Sequence, residues 1–283
     1  MPQFCMLGKQ YSEKLKINFP CIVTEKLDGV RRILSFSDQL SFYSKTGKKD
    51  IFCKEILEEA RRLPRNYVYD GELLAIGHFH NCIAHRQATI SIANRKSIKN
   101  NLIFHIFDMI PYEEFYSDSC EITAIERKNK IDDIIDNSFV YIKKVPILGI
   151  VNSLEEANII AEDIWSIGGE GVMLNTLSGL YRRKRTNDLI KIKKTFDYVL
   201  NILDFFEGQG RLKGKLGGII CNYNDNILAV GSGFTDEQRD YIWKNKDQYI
   251  DRQIEIETFG SSIDLKGNNS LNCPIFKRFI GDD

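Results

Sequence analysis

Near the start of the chain, TEKLDGVRR places Lys26 two residues before an Asp28-Gly29 pair, with Arg31 and Arg32 close behind. A lysine amine attacks phosphorus only after losing its proton, so it needs burial or cationic neighbours that lower its pKa. Such neighbours occur in LIKIKK (residues 189–194), where Lys191 and Lys193 alternate and so share one strand face. Their apolar partners Ile190 and Ile192 imply that the other face is buried. The competing reading of Lys26 is a solvated charge beside an Asp-Gly turn between two strands. Between these two segments lie SKTGK (44–48), YDGE (69–72), FHIFD (104–108) and GGEGVML (168–174). In YDGE, period-two alternation puts Asp70 and Glu72 on the same side of a strand.

Other clusters are open to more than one reading. Arg182, Arg183, Lys184 and Arg185 form the densest basic run, either a solvated loop or a contact for a nucleic-acid backbone, which is gripped independently of sequence. Lys213 and Lys215 offer a second basic patch. His78, His80, Cys82 and His85 have ligand chemistry, but their spacing fits no standard zinc pattern. Glycines 208, 210, 214, 217 and 218 superficially suggest a phosphate loop, yet no strand-to-helix context surrounds them, and turn or bend positions fit better.

The elements that must position these residues read as alternating short apolar runs and a few amphipathic helices, without an evident repeat. Strands are expected at CIVTEKLDGVRRILSF and QLSFYSKTG, a helix at IFCKEILEEARRL, and a strand at NYVYDGELLAIG whose end carries two acids. A helix at SLEEANIIAEDIWSIG stops at Gly168 and Gly169. Beyond residue 195 the pattern is strand-rich, with one helix, DEQRDYIWKN, opened by a Thr235/Gln238 capping box. That suits a small five-stranded barrel of the OB type. The reading is an α+β chain with one domain over 1–195 and a barrel domain over 196–283; a length of 283 residues agrees with two domains.

Lys plus Arg and Asp plus Glu balance at 39 each, so any contact with a polyanion must come from local segregation of charge. Seven cysteines without a CxxC pair argue for a reducing interior. No apolar leader or membrane-length stretch is present. A soluble, cytoplasmic monomer without membrane attachment is expected.

Taken in order, the segments 24–32, 44–48, 69–72, 104–108, 168–174 and 189–194 resemble the covalent nucleotidyltransferase superfamily of DNA ligases, RNA ligases and mRNA capping enzymes. The likeness is greatest to the minimal ATP-dependent DNA ligases of bacteriophages and large algal viruses, and it extends into the second domain. The resemblance implies an adenylyltransferase domain followed by an OB-fold domain. It also implies sealing of 5′-phosphate/3′-hydroxyl nicks in duplex DNA through lysyl-AMP, with RNA ligation, capping or non-catalytic OB-fold binding as rivals. Position by position, Lys26 would accept AMP and Asp28 would position that site. Arg31 would contact the nick, and Thr24 would lie on the nucleotide with Lys26. Lys45 takes the place of a usual arginine, keeping the charge but losing the bidentate fork. Glu72 would engage the ribose and Asp70 support the site, Phe107 would stack on adenine, and Lys191 and Lys193 would hold the α-phosphate. Glu72 and Glu170 would serve Mg²⁺, or Mn²⁺, since such ions take oxygen ligands and keep most of their waters. Arg31, Arg32, Lys45, Lys48, the 182–185 run, Lys213 and Lys215 would face DNA. ATP is the expected donor because the residues ahead of Lys26 are too few for the extra domain of NAD⁺-dependent ligases.

One departure falls at the C-terminus, where the family pattern R-x-D-K meets Ile280, Asp282 and Asp283. Arg278 is expected to substitute for the missing arginine, with Lys277 as the other candidate, because a two-residue shift preserves strand facing.

Overall fold

The computed structural model describes residues 3–281 apart from 37, 38, 51, 52, 80, 98 and 264–268. The chain divides after Lys193 into two compact units.

The first unit runs β1 (Leu7–Gln10), β2 (Cys21–Glu25), β3 (Val30–Phe36), β4 (Leu40–Ser44), β5 (Lys49–Asp50), α1 (Lys54–Ala60), β6 (Tyr67–Ala75), α2 (Cys82–Ala93), β7 (Leu102–Pro111), α3 (Tyr112–Ser117), α4 (Ala124–Ile134), β8 (Ile142–Lys144), β9 (Ile147–Val151), α5 (Leu154–Ser166), β10 (Gly171–Thr176) and β11 (Arg185–Lys193). Two sheets result, ordered β1-β11-β10-β2-β9 and β5-β4-β3-β6-β7-β8. Each carries helices on its outer face. Ala157, Ala161 and Ile164, spaced for one helix stripe, bury α5 on Val23, Val172, Leu174 and Ile190 of the first sheet. On the second sheet, Ile56 and Ala60 of α1 and Ile131 of α4 cover Leu34, Phe42, Phe104 and Ile106. The inner faces meet over Met6, Ile33, Val68, Ile110, Phe115 and Tyr181.

The stop of α5 positions Glu170. Gly168 N–H donates to Trp165 O at 3.2 Å and Gly169 N–H to Ile164 O at 2.9 Å, a Schellman closure made possible by Gly168 at φ 83°. Glu170 then leads straight into β10.

The second unit is an OB-type barrel: β12 (Phe196–Glu207), β13 (Leu216–Tyr223), β14 (Asn226–Val230), α6 (Asp236–Lys244), β15 (Gln253–Thr258), a small hairpin of β16 (Ser261–Ile263) and β17 (Asn269–Leu271), and β18 (Ile275–Phe279). The sheet order is β14-β13-β12-β15-β18. Its two outer strands converge where Phe276 N–H donates to Ser232 O at 2.9 Å. Ile202, Ile219, Cys221, Val230, Ile254 and Ile256 fill the interior. The expected capping box opens α6, Thr235 N–H to Gln238 Oε1 at 2.9 Å and Gln238 N–H to Thr235 Oγ1 at 3.1 Å.

Three differences from the sequence reading stand out. The helix expected over 51–63 is only the seven residues of α1. Helices α2, α3 and α4 are unexpected: α2 buries only Thr89 and Ala93, α3 is six residues long, and the buried stripe of α4 contains charges. Asp70 and Glu72 sit in the middle of β6, not at its end.

Candidate active site

Between the two sheets of the first unit lies a cavity of about 570 Å³. One wall is polar and cationic. Thr24, buried on β2, leads to Lys26, whose N–H donates to Gly171 O at 2.8 Å. Gly171 has φ 145°, and a Cβ there would lie 2.1 Å from Ile192 O, so no side chain fits at this junction. Lys26 Nζ is ion-paired with Glu170 Oε2. The other oxygen of Glu170 takes Lys193 Nζ at 2.5 Å. Lys191 lines the same cavity, and burial, reinforced by Lys193, Lys26 and Arg185, lowers its pKa. Asp28 is raised, first by burial and then by Glu170, while Arg86, 3.4 Å away, opposes that shift.

The facing wall is locked. Arg31 of β3 donates through Nε and Nη2 to Asp70 at 2.8 and 2.5 Å, and Tyr181 Oη donates to the same carboxylate at 2.7 Å. Asp70 is fully buried. Glu72 accepts Gly29 N–H at 3.2 Å, and burial pushes its carboxyl up to about 7 despite nearby Arg31 and Lys26. Phe107 stands beneath the Arg31 guanidinium, 5.1 Å from ring centroid to Cζ. The register explains its direction: Asp70 pairs with Asp108 and Gly71 with Ile106, which leaves Phe107 as the extra residue of a β-bulge. Phe104 and Ile106 pack into the outer core, yet both Phe107 and Asp108 face the cavity.

The structure therefore brings Thr24, Lys26, Asp28, Arg31, Lys45, Glu72, Phe107, Glu170, Lys191 and Lys193 to one cavity, with Asp70 bracing it from behind. Lys45 reaches it from the turn after β4; Lys48, at the foot of that turn, is exposed and does not line it.

Most of the residues expected to face DNA already have partners within the chain. Arg32 is buried against Asp50, 2.8 Å from Nε, and Asp50 also takes Lys99 at 2.5 Å. Strand alternation sends Arg32 to the face opposite Arg31. Arg182 serves the Cys120 carbonyl and Glu121, and Arg183 donates to Tyr116 O at 3.0 Å over the Phe115 ring. These two arginines therefore tie down their own chain. Lys184 is exposed, while Arg185 donates to Gly8 O at 2.6 Å and lines the cavity. In the second unit Lys213 is exposed and Lys215 pairs with Asp240 at 2.7 Å.

Of the histidine cluster, His85 donates Nε2–H to Ala75 O at 2.8 Å and stacks on Phe79, Cys82 opens α2, and His80 lies outside the described residues. Among the described residues no three His, Cys, Asp or Glu side chains gather as a metal cage. Gly208, Gly210 and Gly214 stand in the turn before β13, and Gly217 and Gly218 within that strand. Arg278 Nε donates to Glu255 at 2.6 Å, and Lys277 lies 3.2 Å from Asp197 and 3.4 Å from Glu255. Lys277 is itself the extra residue of a bulge opposite β15. Ile280 N–H donates to Gln253 O, and Asp282 and Asp283 lie outside the described residues.

Among the cavity residues that sequence reasoning missed are Arg86, Lys128 and Tyr181. Arg86 and Lys128 come from helices the sequence reading did not anticipate, and Tyr181 immediately precedes the basic run. A charge-containing i, i+3, i+4, i+7 stripe at Ala124, Arg127, Lys128 and Ile131 was the available signal.

No described helix is long and apolar enough to cross a membrane. The family model described as "ATP dependent DNA ligase domain" matches residues 2–193, and that of the "DNA ligase OB-like domain" matches 207–279. The DNA ligase of Enterobacteria phage T4 is 26% identical over 313 residues, covering 90% of this chain and 63% of the relative. The chain thus spans less than two thirds of that relative's length. The DNA ligase of Haemophilus influenzae is 22% identical, over 77% of this chain and 75% of its own. Among solved structures, one named Pmar-Lig_PreS3 superposes with a TM-score of 0.82 at 25% identity, covering 99% of this chain and 68% of the other. The Chlorella virus DNA ligase-adenylate gives 0.53 at 22%, with 97% and 98% covered, which speaks to the fold. With a family match across 2–193, two sheets enclosing Lys26, and an OB-like match over 207–279 later in the sequence, the chain belongs to the ATP-dependent DNA ligase family.

Proposed function

We propose that this protein seals 5′-phosphate/3′-hydroxyl nicks in duplex DNA, using ATP and a lysyl-AMP intermediate on Lys26. The observation that carries the reading is the placement of Lys26 at a cavity that also gathers Arg31, Glu72, Phe107, Glu170, Lys191 and Lys193. Lys26 must first lose a proton, and Glu170 is the acceptor in contact with it. Its nitrogen then forms a bond to the α-phosphorus while the bond to pyrophosphate breaks. AMP next passes to the 5′-phosphate of the nick, and the 3′-hydroxyl displaces it. Lys191 and Lys193 offset charge on the transferring phosphate, and Phe107 supplies a stacking face for the base.

The donor set fits a hard divalent cation. Glu72, Glu170 and Asp28 face the cavity, and among the described lining residues there is neither thiol nor imidazole. Glu72 and Glu170 would hold Mg²⁺, or Mn²⁺, with phosphate oxygens and water completing the shell, as expected where the protein alone forms no cage. Bound there, the ion would neutralise charge on the triphosphate. Action as a cytoplasmic monomer completes the proposal.

The test is incubation with labelled ATP or GTP, then with nicked DNA, nicked RNA and 5′-diphosphate RNA. A mass gain of one AMP on Lys26 and sealing of nicked DNA are expected. Labelling by GTP, or transfer only to RNA, would replace this reading with capping or RNA ligation.

A further inference from the structure

Helix α4 carries two buried cations side by side, and both reach the bulge in β7. Arg127, fully buried, donates Nε to Asp108 Oδ1 at 2.7 Å and Nη2 to Oδ2 at 3.1 Å. Its remaining nitrogen serves the carbonyls of Ile122 at 2.5 Å and Gly179 at 3.2 Å. Lys128, also buried, donates Nζ to the carbonyl of Phe107. A bulged residue falls out of the ladder, so its backbone polar groups need partners from elsewhere. Burying an ammonium is costly, and an apolar residue at 128 would extend the Ala124 and Ile131 stripe without that cost. The cation is retained where the chain departs from regular pairing and where the cavity wall is made.

We infer that Lys128 is a positioning residue of the nucleotide site. By holding the Phe107 carbonyl it sets the pitch of the ring that stacks on the base, while Arg127, through Asp108, fixes the other limb of the same bulge. Lys128 touches no reacting atom; it acts through Phe107. The inference rests on the reading of Phe107 as the base-stacking wall.

The test measures the apparent Kd for ATP from the concentration dependence of single-turnover lysine adenylylation in the full chain. Lys128→Met is expected to raise that Kd about tenfold, the scale of losing one hydrogen bond to a charged group, with the rate at saturating ATP within about twofold. Phe107→Ala should raise it too, and the double variant should be no weaker than Phe107→Ala alone, because one substitution already removes what the other disturbs. An unchanged Kd in Lys128→Met, or effects that multiply in the double variant, would overturn the inference. A wild-type Kd in Phe107→Ala would instead overturn base stacking itself, so the two failures are told apart. Should Lys128→Met not fold, Lys128→Gln is judged by the same thresholds.

Discussion

The two walls of the cavity are built on opposite plans. On the wall formed by β2, β10 and β11, Lys26, Glu170 and Lys193 share one chain of ion pairs, and their side chains keep 15, 11 and 22% exposure. On the wall formed by β3, β6 and β7, Asp70 and Arg127 have none, their partners Arg31 and Asp108 keep 17 and 7%, and each salt bridge is closed by further hydrogen bonds. Partly hydrated pairs can exchange partners at little cost, whereas a buried pair that loses one member leaves a stranded charge. The lesson is a division of labour. Under the proposed mechanism, groups that must change partners sit in the loose wall, and groups that hold shape sit in the tight one.

Substitutions on each wall can break this contrast. Lys26→Ala should reduce AMP loading to background while leaving measurable sealing of a pre-adenylylated nick, because the lysine is needed to load AMP and not for the last displacement. Equal loss on both substrates would remove Lys26 from the nucleophile's place. On the tight wall, Asp70→Ala strands Arg31 and should cost about 3–5 kcal/mol, read as a drop in melting temperature on the order of 10 °C. A variant that melts like the parent would mean that the wall is not locked by this pair.

Glu72 gives a subtler probe. Its folded carboxyl is raised to about 7 from an ordinary 4.5, so the fold holds the proton more tightly than the unfolded chain. This contribution is fully present below pH 4.5, falls as pH rises to about 7, and is flat above. Glu72→Gln should therefore lose less stability than the parent across that window, measured as the difference between their melting curves. Parallel curves would show that burial does not govern this acid. The smallest effect concerns charge outside the cavity. Arg182→Gln and Arg183→Gln should leave the salt dependence of nick binding unchanged, whereas Lys184→Gln should lower its slope by about 0.9 if one phosphate contact is lost. A slope change in Arg182→Gln would return that arginine to the DNA surface.

The loose wall was the legible one. Lys26 beside Asp-Gly, and Lys191 alternating with Lys193, need only period-two strands, and the glycine stop before Glu170 is written in the local sequence. The tight wall hides its logic. Period-two reasoning separates Arg31 from Arg32 when applied, but it fails at Phe107, where the bulge shifts the phase and turns two consecutive residues inward. Helix α4 was overlooked because Arg127 and Lys128 occupy positions where a buried stripe is usually apolar. The 182–185 run hides a related point: charge counts do not reveal that Arg182 and Arg183 already donate to the carbonyls of residues 120 and 116.

The tetrapeptide at 168–171 has a consequence for inheritance. Gly168 closes α5 in a left-handed conformation, Gly171 presses against Ile192, and between them stands Glu170, the acid that pairs with Lys26. Almost any change in the first two bases of a glycine codon introduces a side chain, so at Gly168 and Gly171 genetic drift has nearly nowhere to go. Neither glycine touches a reacting atom. In a saturation library Gly171 should nonetheless be as barren as Lys26 itself and Gly168 should accept little beyond Asn, while Ile167, just outside the closure and widely exposed, should accept most replacements.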